Sequence, residues 1–276
     1  MIEYEIKPQN KFSIGLKELW QYKELFYFFT WRDVKVKYKQ AVLGFLWAVL
    51  QPLAMMLIFT LVFSKGLNVK ADGNIPYPVF ALSGLLIWNI FSNGLLNSAN
   101  SMVSNANIIK KIYFPRLVVP LSSILVALVD FCFSLIIFFC VILFFRHSLS
   151  VNIIRLVICL PVSILITVIT TFGLGTFLSA LNVKYRDFQY VVPFLIQFLL
   201  FVNPVLYSSR IFKNAALNFI MQLNPIAGAI NLARAPFLYT VIDWPMILVN
   251  LFIALLLLAG GIYTFRKTEA YFADLA

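Results

Sequence analysis

The most constraining feature of this chain is a junction. Residues 30 to 40 carry Arg32, Lys35, Lys37 and Lys39, and the 23 residues from 41 to 63 carry no charge at all. As a helix such a run measures about 34 Å, enough to cross a hydrocarbon core of about 30 Å. Cations at the start of a span are retained on the cytoplasmic side, so the basic segment is expected inside, with a first exit near Ser64. Gln51-Pro52 interrupts the run near its middle. Proline removes a backbone donor that lipid cannot replace, so neighbouring helices or a wet cavity must face that point.

The rest of the chain repeats this pattern. Of 276 residues, 62% are hydrophobic and 12% charged, far outside the range of a soluble domain with one core. No polar stretch is long enough to fold separately. A net charge of +11 would suggest nucleic acid in a soluble protein; here the cations sit mostly at the ends of apolar runs, where anionic lipid is the natural partner. Cys132, Cys140 and Cys159 lie in apolar runs, the first two separated by two helical turns, so free thiols are expected. The first apolar run lies about forty residues in and is too long for a signal-peptide core.

Read in order, the fold class is an all-α polytopic membrane protein with six spans: 41–63, 78–97, 117–145, 153–181, 191–207 and 245–265. Residues 1–40 form a cytoplasmic segment. In it Leu16, Leu19, Trp20, Phe26, Tyr27 and Val34 recur at helical spacing, which reads as an amphipathic helix in the membrane interface or as a solvated helix preceding a span. Residues 41–265 make the transmembrane domain, and residues 266–276 a cytoplasmic tail, so both termini lie inside. The segment 104–116 is then cytoplasmic. Fifteen of the 22 Lys and Arg residues fall in the inside segments 1–40, 110–116, 184–186 and 266–267. Residues 208–244 are too polar for a span and too apolar for a loop. Two pieces in that region, 215–223 and 226–238, divided by Asn224-Pro225, read as short re-entrant or interfacial helices at the outer face; Arg234 argues against a spanning hairpin.

Several stripes run along these helices. Asn89, Asn93, Asn97 and Ser101, with Asn100 and Ser104, recur about every fourth residue and either bond neighbouring helices or line a hydrated path. Ser163, Thr167, Thr171, Gly175 and Ser179 form a small-residue stripe that lets another helix approach closely. Phe194, Gln197, Phe198 and Phe201 share one face and serve either packing or stacking on sugar rings. Asp130 is the one acid well inside an apolar run, a costly placement that by default suggests function, although a proton relay usually needs several such groups. The sequence has no phosphate-cradling Gly-x-x-x-x-Gly-Lys-Ser/Thr loop, no Ser/His/Asp set, no carboxylate pair and a single histidine, His147. No cofactor or metal is therefore expected on this chain, nor any means of hydrolysing a nucleotide.

The basic residues 35–39 followed by Leu43-Gly44-Phe45-Leu46-Trp47 and Gln51-Pro52, then Phe114-Pro115-Arg116, Asn182-Val183-Lys184-Tyr185-Arg186-Asp187, Asn203-Pro204-Val205-Leu206-Tyr207 and Leu223-Asn224-Pro225, together resemble the membrane subunits of type-2 ATP-binding-cassette exporters. Within these the chain is most similar to permeases for O-antigen, capsule or teichoic-acid polymers, and the likeness covers nearly its whole length. The resemblance implies a homodimer in the bacterial cytoplasmic membrane, joined by two copies of a separate ATPase that would hold ATP and magnesium. It implies a polyprenyl-diphosphate-linked polysaccharide substrate, moved outward. It also implies coupling roles for Asn107, Lys110, Lys111, Tyr113 and Arg116, with Arg186 and Asp187 as a second contact. An outer gate would be built around Asn203, Pro204, Tyr207, Asn224 and Pro225.

A polymer path has to be wide, wet and tolerant, so Trp47, Gln51, Asn89, Asn93, Phe194, Gln197, Phe198 and Phe201 are the candidates for its wall. Arg32, Lys35 and Lys37 face either the substrate's diphosphate or anionic headgroups. The rival readings are an exporter of a drug or simple lipid, a proton-coupled carrier relying on Asp130, and an intramembrane enzyme acting on lipid-linked sugars, which would need the acidic or metal-binding cluster that is missing.

Overall fold

Four helix starts in this chain are marked by short polar side chains, two of them followed by proline. In a computed structural model, which describes residues 20–39, 44, 46–69, 71–73, 75–208, 214–238 and 241–269, the side chains of Asn152, Asn214, Asn224 and Asp243 accept from the backbone N–H of Arg155, Ala216, Ile226 and Met246. Each satisfies an otherwise orphaned helix donor. Pro225 and Pro245 follow in the first turn, where a missing N–H costs nothing.

The described secondary structure is entirely helical. In chain order it comprises α1 (Lys23–Lys39), α2 (Leu46–Phe59) continuing into a π-helical stretch (Thr60–Gly66), α3 (Tyr77–Ser104), α4 (Ala106–Ile109), α5 (Val118–Phe144), α6 (Ile153–Lys184), α7 (Phe188–Val202), α8 (Ala215–Leu223), α9 (Pro225–Arg234), a 3-10 turn (Ala235–Phe237) and α10 (Trp244–Thr268). Five of these are long and apolar enough to cross a membrane: Leu46–Gly66, α3, α5, α6 and α10.

The fifth expected span, 191–207, differs. Its helix is α7, with 15 residues, about 22 Å long and so short of a 30 Å core. It ends at Val202 because Pro204 disfavours the helical region for the residue before it, and Asn203 is extended (φ −82°, ψ 145°). The second of the two expected short pieces also stops early, at Arg234 rather than at 238, and tightens into the turn that holds Pro236. Residues 1–19 of the expected cytoplasmic segment and residues 270–276 of the expected tail lie outside the described residues.

Successive long helices carry the chain between two ends of a bundle. At one end the Tyr77 hydroxyl donates to the Leu206 carbonyl at 2.8 Å, and Arg155 donates to the Leu238 carbonyl at 3.1 Å. At the other, Phe29 packs on Phe114 with centroids 5.6 Å apart, and Arg116 donates to the Glu269 carbonyl. Helix α3 is the axle. In its most apolar window 78% of residues are buried, against 11% for Leu46–Gly66, because α5, α6 and α9 pack around α3 while α2 lies outside.

The small-residue stripe is packing, as its spacing suggests. A Cβ added to Gly175 would sit 2.4 Å from Ser98 Oγ, and one on Gly173 would sit 2.5 Å from the backbone N of Leu258 in α10. The hydroxyls of Thr167 and Thr171 donate to the carbonyls of Ser163 and Thr167 one turn back, which satisfies these two buried hydroxyls within their own helix. The three cysteines are free thiols.

Candidate functional site

The last turn of α1 reaches the middle of α5. Lys37 Nζ lies 2.5 Å from Asp130 Oδ2, and the Tyr38 hydroxyl donates to Asp130 Oδ1. An unpaired carboxylate at this depth would be expensive; here it receives one ion pair and one hydrogen bond from a segment 92 to 93 residues earlier. The Asp130 side chain is 12% exposed and that of Lys37 44%, so the pair is buried on the acid's side and open on the cation's. Burial first, and then the bond to Asp130, hold the Tyr38 phenol well above the usual tyrosine range, keeping it a donor.

Beside this pair is a cavity of about 160 Å³. Each helix contributes an i, i+4 pair: Trp47 and Gln51 from α2, Asn89 and Asn93 from α3, Asp130 and Ser134 from α5. That spacing places both members on one helix face. Pro52, also in the wall, is buried, so the backbone interruption in α2 does face a polar cavity inside the protein. Four of the eight expected wall residues thus come together around Asp130, with Lys37 beside them.

The other four do not join them. Helix α7 packs inward through Val192, Ile196, Leu199 and Leu200, which turns Phe194, Gln197, Phe198 and Phe201 outward, all of them exposed. The asparagine stripe of α3 divides in the same way. Asn89 and Asn93 line the cavity, whereas Asn100 and the Ala99 carbonyl accept from Asn182 of α6 at 2.9 and 3.0 Å. One turn of the stripe thus bonds a neighbouring helix, while another borders a cavity.

At the α1 end, Asn107, Lys110, Lys111 and Tyr113 are exposed, and so are Arg186 and Asp187. Ile109 and Phe114 anchor this surface in a cluster with Phe29, and Arg32 donates to Asn105 Oδ1 at 2.7 Å while pairing with Asp33. Of the three cations expected to meet a diphosphate, Arg32 and Lys37 hold carboxylates and Lys35 is exposed.

At the other end the expected gate residues are linked. Asn224 Nδ2 donates to Asn203 Oδ1 at 3.0 Å, and the Tyr207 hydroxyl caps the Phe201 and Val202 carbonyls at the end of α7. Their hub is a residue that sequence reasoning used only against a hairpin. Arg234, 1% exposed, donates to the carbonyls of Pro204, Val205 and Phe80 and stacks on the Phe80 ring at 3.6 Å. Gly84 makes room for it, since a Cβ there would lie 2.6 Å from Arg234 Nη2 and 2.8 Å from the Val205 carbonyl. The sequence signal was present: a Phe and a Gly four residues apart on α3, and an arginine in an otherwise apolar helix.

Comparison with known proteins agrees with this architecture. The profile of the ABC-2 type transporter family matches residues 24–238. An O-antigen export system permease protein RfbA of Klebsiella pneumoniae is 30% identical over 89% of this chain and 92% of its own length. The protein of the same name from Myxococcus xanthus is 32% identical over 80% of this chain and 83% of its own. The polysialic acid transport protein KpsM of Escherichia coli is 23% identical over 74% of this chain and 77% of its own. The chain belongs to the ABC-2 type transporter membrane family, as a multi-pass protein of the bacterial cytoplasmic membrane related to permeases for O-antigen and capsule polysaccharides.

Proposed function

We propose that this chain is the path-forming subunit of an ATP-driven exporter that moves a polyprenyl-diphosphate-linked polysaccharide from the cytoplasm to the outer face of the membrane. The observation that carries the reading is the similarity, over nine-tenths of the chain, to permeases named for O-antigen export. In this reading α7 and the turn residues 203–207 that follow it together make the remaining crossing of six, both termini are cytoplasmic, and α8 and α9 are re-entrant helices around an outer gate. The exposed surface with Asn107, Lys110, Lys111, Tyr113, Arg186 and Asp187 receives two copies of a cytoplasmic ATPase, which bind ATP and magnesium. Arg32, Lys35 and Lys37 face the cytoplasmic leaflet, where headgroups and the substrate's diphosphate both carry the charge they attract.

Two features support a homodimer. The cavity beside Asp130, about 160 Å³, is below the roughly 300 Å³ of even a small ligand site, so the wall residues gathered there do not by themselves enclose a polymer path. The aromatic face of α7 and the exposed Trp47 then become walls between two copies, where aromatic rings stack on successive sugars. The test is deletion of the gene. Loss of the surface glycan with its lipid-linked precursor trapped inside, together with an ATPase that co-purifies with the tagged chain, is the expected result. A normal surface glycan with the ATPase still bound would move the substrate to a drug or simple lipid.

A further inference from the structure

A second cavity lies away from the one beside Asp130. It measures about 1040 Å³ and lies at the α8–α9 end, between α9, the 3-10 turn, the first turns of α10, residues Asp72, Gly73 and Ile75, and the connection 147–150. Its volume is at the upper end of the roughly 300–1,000 Å³ range of ligand sites.

Its chemistry is selective. Leu232, Phe237 and Ile247 supply an apolar surface, and Gln222, Asn231 and Asn250 supply amides around it. The formal charges in the wall are Asp72, Asp243 and Arg234. Arg234 is already committed to three carbonyls and the Phe80 ring, so the carboxylates set the sign of the accessible charge, and a phosphate or other anion is disfavoured. Gly228 is what allows Asn250 to lie against α9, since a Cβ there would fall 2.1 Å from its Nδ2. Amides and carboxylates around an apolar face match a ligand whose groups each donate and accept, on a ring with an apolar face.

We propose that this cavity is a saccharide-binding site at the outer end of each subunit, taking a short uncharged stretch of the glycan and excluding its diphosphate end. The site rests on the export reading, which makes this end the outer one and a glycan the cargo. By holding sugar units that have already crossed, it would oppose their return.

The test uses the full chain co-purified with its ATPase and, as probe, neutral oligosaccharides released by mild acid from the producing cell's own surface polysaccharide. Saturable binding by calorimetry is expected, unchanged by equimolar inorganic diphosphate. Gln222→Trp, at an exposed rim position, and Asn231→Leu are each expected to weaken it at least tenfold while the ATPase still co-purifies; Gly260→Ala, with nothing within 4 Å of the added Cβ, should leave it unchanged. Absence of saturable binding, binding indifferent to both cavity variants, or competition by diphosphate would each overturn the site. So would a tightly held lipid or detergent that occupies the cavity in place of sugar. The deletion experiment reads export separately: a glycan lost from the surface while the parent protein binds no oligosaccharide overturns this site and leaves export standing.

Discussion

Asp130 shows how far one residue can be read without its partners. Its cost in an apolar helix was legible, and that cost demanded a partner. The partner was not legible, because Lys37 and Tyr38 are more than ninety residues away in a segment that reads as surface. The ion pair weakens the case for a proton-relay role and favours a tie between α1 and α5. Removing one member of a buried pair costs about 3–5 kcal/mol, and the half-exposed Lys37 brings the expectation for Asp130→Asn down to about 1–3 kcal/mol. Thermal unfolding of the purified protein measures it, and Lys37→Met in the same background should add little further loss. Unchanged stability in Asp130→Asn would mean that the tie contributes nothing. Arg234→Leu should be more damaging, because three carbonyls around α9 and the end of α7 lose their donor together. The expected readout is a protein that no longer survives extraction in mild detergent.

The helices differ in how much their own sequence reveals. Stripes of period 3.6 gave α3 and α6 their faces, and Gly173 makes one of those faces testable. Its added Cβ would strike the backbone of α10 at 2.5 Å, where no side-chain rotation can relieve it. Gly173→Val is therefore expected to separate α6 from α10 and abolish the folded form on size-exclusion chromatography, while Gly260→Ala, with nothing within 4 Å, should be silent. The connection around α4 behaves oppositely. Lys110 and Lys111 are exposed beside anchored Ile109 and Phe114, so Lys110→Glu with Lys111→Glu should leave folding intact and cut ATPase co-purification several-fold. Normal co-purification and normal ATPase stimulation would place the docking surface elsewhere.

For the assembled chain, the question is where the polymer runs. If the path lies between two copies, Phe198→Ala and Trp47→Ala should each lower surface polymer without loss of the bound ATPase or of thermal stability, since both side chains are exposed in the single chain. Full export by both variants would remove them from the wall. Class, helical content and family were already written in the order of charge-free runs, cationic ends and asparagine–proline starts, because insertion in lipid depends on local hydropathy and on backbone bonds satisfied within each helix. The length of α7 was less legible: a proline two residues ahead sets its end, and hydropathy continues past it. What tertiary structure alone decided was which polar groups meet. Asp130 with Lys37, Arg234 with the 204–205 carbonyls, and half of the asparagine stripe with a cavity are long-range pairings. They are fixed by how helices pack around α3, and a period along one helix carries no information about the register of its neighbours.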